Sequence, residues 1–156
     1  MDNSTNKITG PHQGQSVLTA GEPLESAKAA MIMIHGRGAS ADDILSLAAE
    51  VNQPGFAYLA PQAAGYAWYP NSFLSPIASN EPGLSSGLAV IAALLDRIYT
   101  AGIPLERTIL LGFSQGACLS LEFAARNARP YPGGGEEVSG SAVARRVRLR
   151  RRSREP

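Results

Sequence analysis

The chain has 156 residues and a formal net charge of +1, and 44% of its residues are apolar. This length and composition fit one domain that can bury a core. The single cysteine, Cys118, excludes a disulfide framework. Because no apolar run is long enough to cross a bilayer and no charged leader precedes an apolar segment, we expect a cytoplasmic protein without a membrane span.

Positive charge is concentrated at one end of the chain. Residues 1–135 carry seven Lys or Arg against ten Asp or Glu, whereas residues 136–156 carry seven Arg against three Glu. A basic segment can bind nucleic acid or anionic lipid through its charge, and binding through this tail is one alternative function. The tail has no aromatic side chain on which a base could stack, so we expect no nucleic-acid partner.

Apolar periodicity predicts strands that alternate with amphipathic helices over the first two thirds of the chain. Residues 29–34 form a continuous apolar run, which is typical of a strand buried on both faces. Ser40 is predicted to cap the next helix, with Asp43 completing a capping box. The predicted elements are a strand over 15–19, a strand over 29–34, a helix over 40–51, a strand over 56–60, a long loop over 62–82 and a helix over 84–98.

A further strand over 107–111 is predicted to lead through the pentapeptide Gly112-Phe113-Ser114-Gln115-Gly116 into a helix. This order of elements favours an α/β fold with right-handed crossovers and a mostly parallel sheet that helices flank. Ligands of such folds bind at the carboxyl ends of the strands. The turn His35-Gly36 and the residue Ser114 both fall at that edge.

The pentapeptide has the strand-turn-helix context of a nucleophile elbow, in which a serine stands on a strained turn. Its two glycines let the strand and the helix approach each other closely. A serine that attacks an ester also needs hydrogen-bond donors for the oxyanion that forms. The backbone N–H of Gln115, at a helix N-terminus, is one predicted donor, and that of Arg37 in the glycine-rich turn is the other.

Four segments carry a resemblance to a known family: HGRGAS, AWYPNSFLSP, NEPGLSSGL and GFSQGACLS. Over about residues 10–130 the chain is similar to the phospholipase/carboxylesterase family of α/β-hydrolases. The resemblance implies a carboxylic-ester hydrolase without a cofactor, with Ser114 as nucleophile and Arg37 and Gln115 as the oxyanion hole. It implies a small-molecule ester substrate of small to medium acyl length, bordered by three aromatic residues: Trp68, Tyr69 and Phe73. Because large aromatics fill cores as well as pockets, ordinary packing stays open for two of them, Trp68 and Tyr69.

The sequence departs from the family pattern after Pro130. Members of the family continue with strands that carry a catalytic Asp and a catalytic His, whereas neither residue type occurs after Ser114 here. We therefore expect residues 1–135 to form a partial hydrolase domain that lacks the C-terminal strands and helices. Residues 136–156 are expected to be a disordered Arg-rich tail without a strand, with a short basic helix over 142–152 as the alternative. The abrupt change of composition is also what a shifted reading frame in GC-rich DNA produces, and we hypothesise that the tail is not an evolved element.

The missing triad residues predict weak activity, arising from the oxyanion hole alone or with His35 or His12 as a substitute base. The position of His35 at a strand end favours a structural role for it. Asp42 and Asp43 are interpreted as carboxylates at a helix start, and no cluster at ligand spacing indicates a metal site. The alternative to an enzyme is an inactive remnant that self-associates through an exposed sheet edge.

Overall fold

Short apolar strands and amphipathic helices alternate along the chain. The structure, a computed structural model, describes residues 7–127 and the backbone of residues 143–146. Its strands are β1 (Val17–Gly21), β2 (Ala29–Ile34), β3 (Phe56–Pro61), β4 (Thr108–Gly112) and β5 (Val143–Arg146). Its helices are α1 (Ala41–Leu45), α2 (Leu47–Val51), α3 (Gly83–Thr100) and α4 (Gln115–Asn127), with short 3₁₀ turns at Ala64–Tyr66, Ile77–Asn80 and Leu105–Arg107.

The five strands form one mixed sheet in the order β1-β3-β2-β4-β5. β2 lies at the centre and runs parallel to both β3 and β4, whereas β1 and β5 pair antiparallel at the two edges. The predicted α/β fold is confirmed, with its parallel pairs at the centre of the sheet. The register places Ile34 opposite Gly112, so the segments after β2 and β4 begin side by side.

The side chains of β2 alternate between two apolar layers, as the period of a strand requires. Ala30, Ile32 and Ile34 pack with α3 and α4 on one face, and Met31 and Met33 pack with α1 and α2 on the other. Burial of each large aliphatic side chain contributes about 1.5–3 kcal/mol. The glycine-rich turn at 35–38 thus follows a strand whose last five residues are all buried.

The predicted helix over 40–51 is present as two short helices. Its N-terminal capping box is confirmed, because Ser40 Oγ accepts from the Asp43 N–H and the Asp43 carboxylate accepts from the Ser40 N–H. The hydroxyl of Ser46 donates to the Asp43 carbonyl at 2.7 Å, a local bond that competes with a continuous helix. Asn52 ends α2 in a left-handed conformation.

One prediction about the end of the chain was wrong. No strand was predicted after Pro130, yet the backbone of 143–146 pairs with β4 as β5. The open edge of a strand offers unpaired N–H and C=O groups that an extended segment can pair whatever its side chains. The other residues of 136–156 lie outside the described residues.

Within 7–127, no helix has the length and apolarity to span a membrane.

Candidate active site

Ser114 stands on the turn between β4 and α4 with an exposed side chain and a φ of 52°. A left-handed backbone strains a non-glycine residue by about 1–2 kcal/mol. The flanking glycines are required by space, since a Cβ on Gly112 would meet the Gly116 carbonyl oxygen and a Cβ on Gly116 would meet that of Ile34. The turn therefore has the geometry that the pentapeptide predicts, with its hydroxyl at the carboxyl edge of the sheet.

The glycine-rich turn after β2 lies directly against Ser114. A Cβ on Gly36 would stand 3.2 Å from the Ser114 Cβ and 3.2 Å from the Phe113 carbonyl oxygen. The Phe113 N–H donates to the Ile34 carbonyl at 3.1 Å and ties the two turns together. Both distances are shorter than ordinary van der Waals contact, so a side chain at position 36 would push the two segments apart by a few tenths of an ångström.

The two predicted oxyanion donors are available for a ligand. Within residues 7–127, no hydrogen bond occupies the backbone N–H of Arg37 or that of Gln115. The Gln115 N–H is one of the first N–H groups of α4, which have no acceptor inside their own helix. The partial positive charge at a helix N-terminus favours an anion at this position.

The segment of residues 62–73, here called the aromatic loop, faces both turns. Its Trp68 was predicted to border the substrate, but this side chain is fully buried in the core, where its Nε1 donates to the His35 carbonyl at 2.9 Å. The prediction was wrong for Trp68 because a large ring with one N–H gains most by filling the space beneath the loop. Tyr69 and Phe73, in contrast, line a cleft.

This cleft has a volume of about 310 Å³ and is bounded by the aromatic loop, the segment after it and α4. Its apolar lining comes chiefly from Tyr69, Phe73, Ile77, Leu84, Cys118 and Leu121. The residues from α4 were not predicted, although helical periodicity could have identified them, since positions four, seven and eight after Ser114 share its face. The cleft thus begins one helical turn from Ser114.

The ionisable groups in the cleft are held neutral or paired. Burial, together with neighbouring Cys118, raises the pKa of Tyr69 to about 12. Burial also raises the pKa of the Cys118 thiol, which is therefore a poor nucleophile. The carboxylate of Glu122 pairs with Arg126 at 2.8 Å. The lining near Ser114 is consequently suited to an uncharged apolar group.

Neither histidine is placed to act as a base, so the geometry does not favour the alternative of a substitute base and agrees with the structural role expected for His35. His35 is fully buried, and its Nε2 accepts from the Ala63 N–H at 3.0 Å while its Nδ1 lies 2.8 Å from the Gly36 carbonyl. A backbone N–H can only donate, so Nε2 carries the lone pair and the proton is on Nδ1. Burial lowers the pKa of His35, which keeps the ring neutral.

The ring of His12 is held by backbone groups in the same way. Its Nδ1 accepts from the Ala64 N–H at 3.0 Å, so its proton is on Nε2 and is donated to the Trp68 carbonyl at 2.8 Å. Burial lowers its pKa as well. Both imidazole rings pack against the Trp68 ring, with centroid distances of 5.0 Å for His12 and 5.2 Å for His35. The histidines are structural residues that hold the aromatic loop.

The side chains of Arg37 and Gln115 have roles that the sequence did not reveal. Gln115 Oε1 accepts from the Trp68 N–H at 2.8 Å and its Nε2 donates to the Tyr69 carbonyl at 2.8 Å. The guanidinium of Arg37 donates to the carbonyls of the next two residues, Pro70 and Asn71, both at 2.7 Å. No local sequence signal marks such long-range contacts to backbone atoms.

No metal centre forms in the described residues, where no group of three His, Cys, Asp or Glu could hold an ion. Asp42 and Asp43 lie in the first turn of α1, as predicted. A carboxylate at this position interacts favourably with the helix dipole.

A family model described as phospholipase/carboxylesterase matches residues 17–145 of the chain. The chain belongs to this family. The resemblance read from the four sequence segments is confirmed, and the mixed sheet with flanking helices is the α/β-hydrolase fold. The partial hydrolase domain over 1–135 stays a prediction, as residues 128–135 lie outside the described part of the structure.

Three solved structures resemble this family member. A phospholipase/carboxylesterase from Dyadobacter fermentans is 44% identical with a TM-score of 0.73, covering 81% of this chain and 60% of that one. Esterase PE8 is 26% identical with a TM-score of 0.58, covering 72% and 58%. Acyl-protein thioesterase 2 from Zea mays, 21% identical with a TM-score of 0.50 over 70% and 51%, is similar in fold alone. The chain spans at most 60% of the length of each of these proteins.

Proposed function

We propose that this family member is a carboxylic-ester hydrolase that works through an acyl-Ser114 intermediate. The observation that carries the proposal is the exposed Ser114 on its strained turn, with Gly36 packed against it and the N–H groups of Arg37 and Gln115 unoccupied. A serine in this setting can attack an ester carbonyl while two amide donors stabilise the oxyanion. Membership of a family of esterases supports the same chemistry.

The reaction has two steps. The Ser114 oxygen bonds to the carbonyl carbon and loses its proton to solvent, and the alcohol then leaves with a proton taken from water. Water next attacks the acyl-serine ester, releasing the carboxylic acid and restoring the hydroxyl. The apolar cleft lined by Tyr69, Phe73 and Leu121 would hold an acyl group of small to medium length.

We expect slow catalysis. No Asp or His follows Ser114 in the sequence, and both histidines before it use their ring nitrogens in the fold. Hydrolases without their full triad retain roughly 10³- to 10⁴-fold acceleration over water from the oxyanion hole and binding. With hydroxide or water accepting the proton, the rate should rise with pH through 6–9 without a plateau set by a histidine, whose ordinary pKa is about 6.5.

Hydrolysis of p-nitrophenyl acetate by the purified chain and by Ser114→Ala tests the proposal. We expect the substitution to abolish the protein-dependent rate. The control is Ser26→Ala, which removes an exposed hydroxyl that is distant in sequence from Ser114, and this variant should keep the original rate. Equal rates for the original chain and Ser114→Ala would refute an acyl-Ser114 mechanism.

A further inference from the structure

Four consecutive residues of the aromatic loop are held by the side chains of two residues. Gln115 bonds to the backbone of Trp68 and Tyr69, and Arg37 to that of Pro70 and Asn71, all at 2.7–2.8 Å. These are the same two residues whose backbone N–H groups are the proposed oxyanion donors. Each donor therefore belongs to a residue whose side chain is anchored to the aromatic loop, which lines the cleft through Tyr69 and Phe73.

The contacts at Gln115 leave its amide no freedom. The backbone N–H of Trp68 requires an acceptor and the Tyr69 carbonyl requires a donor, and the amide in this orientation supplies both. Gln115 is buried, at 6% exposure, where an unpaired amide would destabilise the fold. Rotation of this residue, and with it of its backbone N–H, would break both bonds.

The guanidinium of Arg37 spans two carbonyls with two nitrogens. Its fixed fork suits this geometry, whereas the single ammonium of a lysine cannot reach both acceptors in the same way. The glycine-rich turn after β2 has a further link to the aromatic loop, because the Gly38 N–H donates to the Tyr66 carbonyl at 2.7 Å. The backbone between Arg37 and Gly38 is thus fixed to the loop on both sides.

We propose that the side chains of Arg37 and Gln115 are positioning groups that fix the oxyanion hole by clasping residues 68–71. The inference rests on the proposed function and goes beyond it by assigning to these side chains a role separate from that of their backbone. The aromatic loop is then a common support. It lines the acyl cleft through Tyr69 and orients both N–H groups that face the reacting carbonyl.

The kinetic test uses Arg37→Met, Arg37→Lys and the control Arg97→Met, which removes an exposed guanidinium from α3. With p-nitrophenyl acetate, whose acyl group is too short to depend on the cleft, we expect kcat to fall about 10-fold for Arg37→Met at nearly constant KM, since misaligned donors affect the transition state. Arg37→Lys should fall between Arg37→Met and the original chain. An unchanged kcat, or an equal loss in Arg97→Met, would overturn the proposal.

Gln115 offers a test by rescue. Gln115→Met loses both bonds, whereas Gln115→Glu keeps the acceptor and regains the donor when its carboxyl is protonated. We expect the kcat of Gln115→Glu, divided by that of the original chain at each pH, to rise as the pH falls, and the same ratio for Gln115→Met to stay flat. A side chain that merely stabilises the fold would give no such difference, and parallel ratios would contradict the proposal.

A spectroscopic measurement tests the clasp, meaning the hydrogen bonds from the side chains of Arg37 and Gln115 to residues 68–71, even if Ser114 proves inactive. Trp68 is the only tryptophan in the chain and lies within the clasped segment. We expect acrylamide to quench its fluorescence more in Gln115→Met and in Arg37→Met than in Arg97→Met, at temperatures where all variants are folded. Equal quenching in the three variants would overturn the clasp. Equal ester hydrolysis by Ser114→Ala would instead overturn only the proposed function.

Discussion

Local backbone geometry fixes the turn at Ser114, whereas side chains from distant parts of the chain fix the aromatic loop. The turn depends on Gly112 and Gly116, two positions away on either side of the serine. The loop depends on hydrogen bonds from His12, His35, Arg37 and Gln115, which lie up to 56 positions from their partners. Five consecutive residues thus determine the turn that carries the proposed nucleophile, whereas residues from many parts of the chain determine the loop beside it.

The largest effect is expected from a substitution inside the turn. In Gly116→Ala the new Cβ would collide with the carbonyl oxygens of Ile34 and His35, which belong to the central strand and its end. We expect a loss of at least about 3 kcal/mol in the free energy of unfolding, because neither backbone can move away. Urea unfolding followed by circular dichroism measures this loss.

The control for this substitution is Gly14→Ala. Gly14 also has a positive φ, of 73°, but no atom lies within 4 Å of the added Cβ. Its cost should be that of the left-handed backbone alone, about 1–2 kcal/mol. Equal losses for the two variants would show that close packing does not constrain the turn.

A second prediction tests the position of Trp68 beneath the loop. Trp68→Phe removes the N–H that pairs with the buried His35 carbonyl and part of a fully buried ring. We expect the free energy of unfolding to fall by about 2–4 kcal/mol. Phe73→Ala, at a side chain that is 65% exposed, should change it by less than about 0.5 kcal/mol and instead raise KM for longer acyl esters. The reverse pattern would restore Trp68 as a substrate contact.

Acid should destabilise the fold through the two buried histidines that hold the aromatic loop. Burial lowers the pKa of His12 and of His35 in the folded state, so the unfolded chain binds protons first as the pH falls. Stability from these residues is complete above their ordinary pKa of about 6.5 and is lost progressively below it. We expect a lower urea midpoint at pH 5.5 than at pH 7.5.

A single substitution identifies the source of this pH dependence. His12→Gln can still accept from the Ala64 N–H and donate to the Trp68 carbonyl, but it does not titrate. The difference in midpoint between the two pH values should shrink in this variant. An undiminished difference would assign the acid sensitivity to other groups.

The smallest expected effect concerns the strain at Ser114 itself. Ser114→Gly relieves the left-handed backbone and Ser114→Ala keeps it, although both remove the hydroxyl. Glycine also gives the unfolded chain more freedom, which offsets part of the gain. We expect Ser114→Gly to be more stable than Ser114→Ala by about 0.5–1 kcal/mol, measured by urea unfolding. A less stable glycine variant would show that the turn is not strained.

The difference between the two regions explains what the sequence could predict. Periods of two and 3.6 residues locate the strands and helices, and the capping box at Ser40 and the glycines around Ser114 act over a few positions. The sequence could not show that Trp68 is buried, because a tryptophan occurs both in cores and in pockets, and its residue type does not tell the two environments apart. It also missed β5, since pairing at a sheet edge uses backbone atoms that every residue has.

Reaction with an organofluorophosphonate probe tests the central claim most directly, because covalent capture requires an activated hydroxyl that faces an oxyanion site. The account predicts that the chain is labelled, that mass spectrometry places the label on Ser114, and that Ser114→Ala is not labelled while Ser26→Ala is. A chain that stays unlabelled while folded, or a label on another residue, would contradict it.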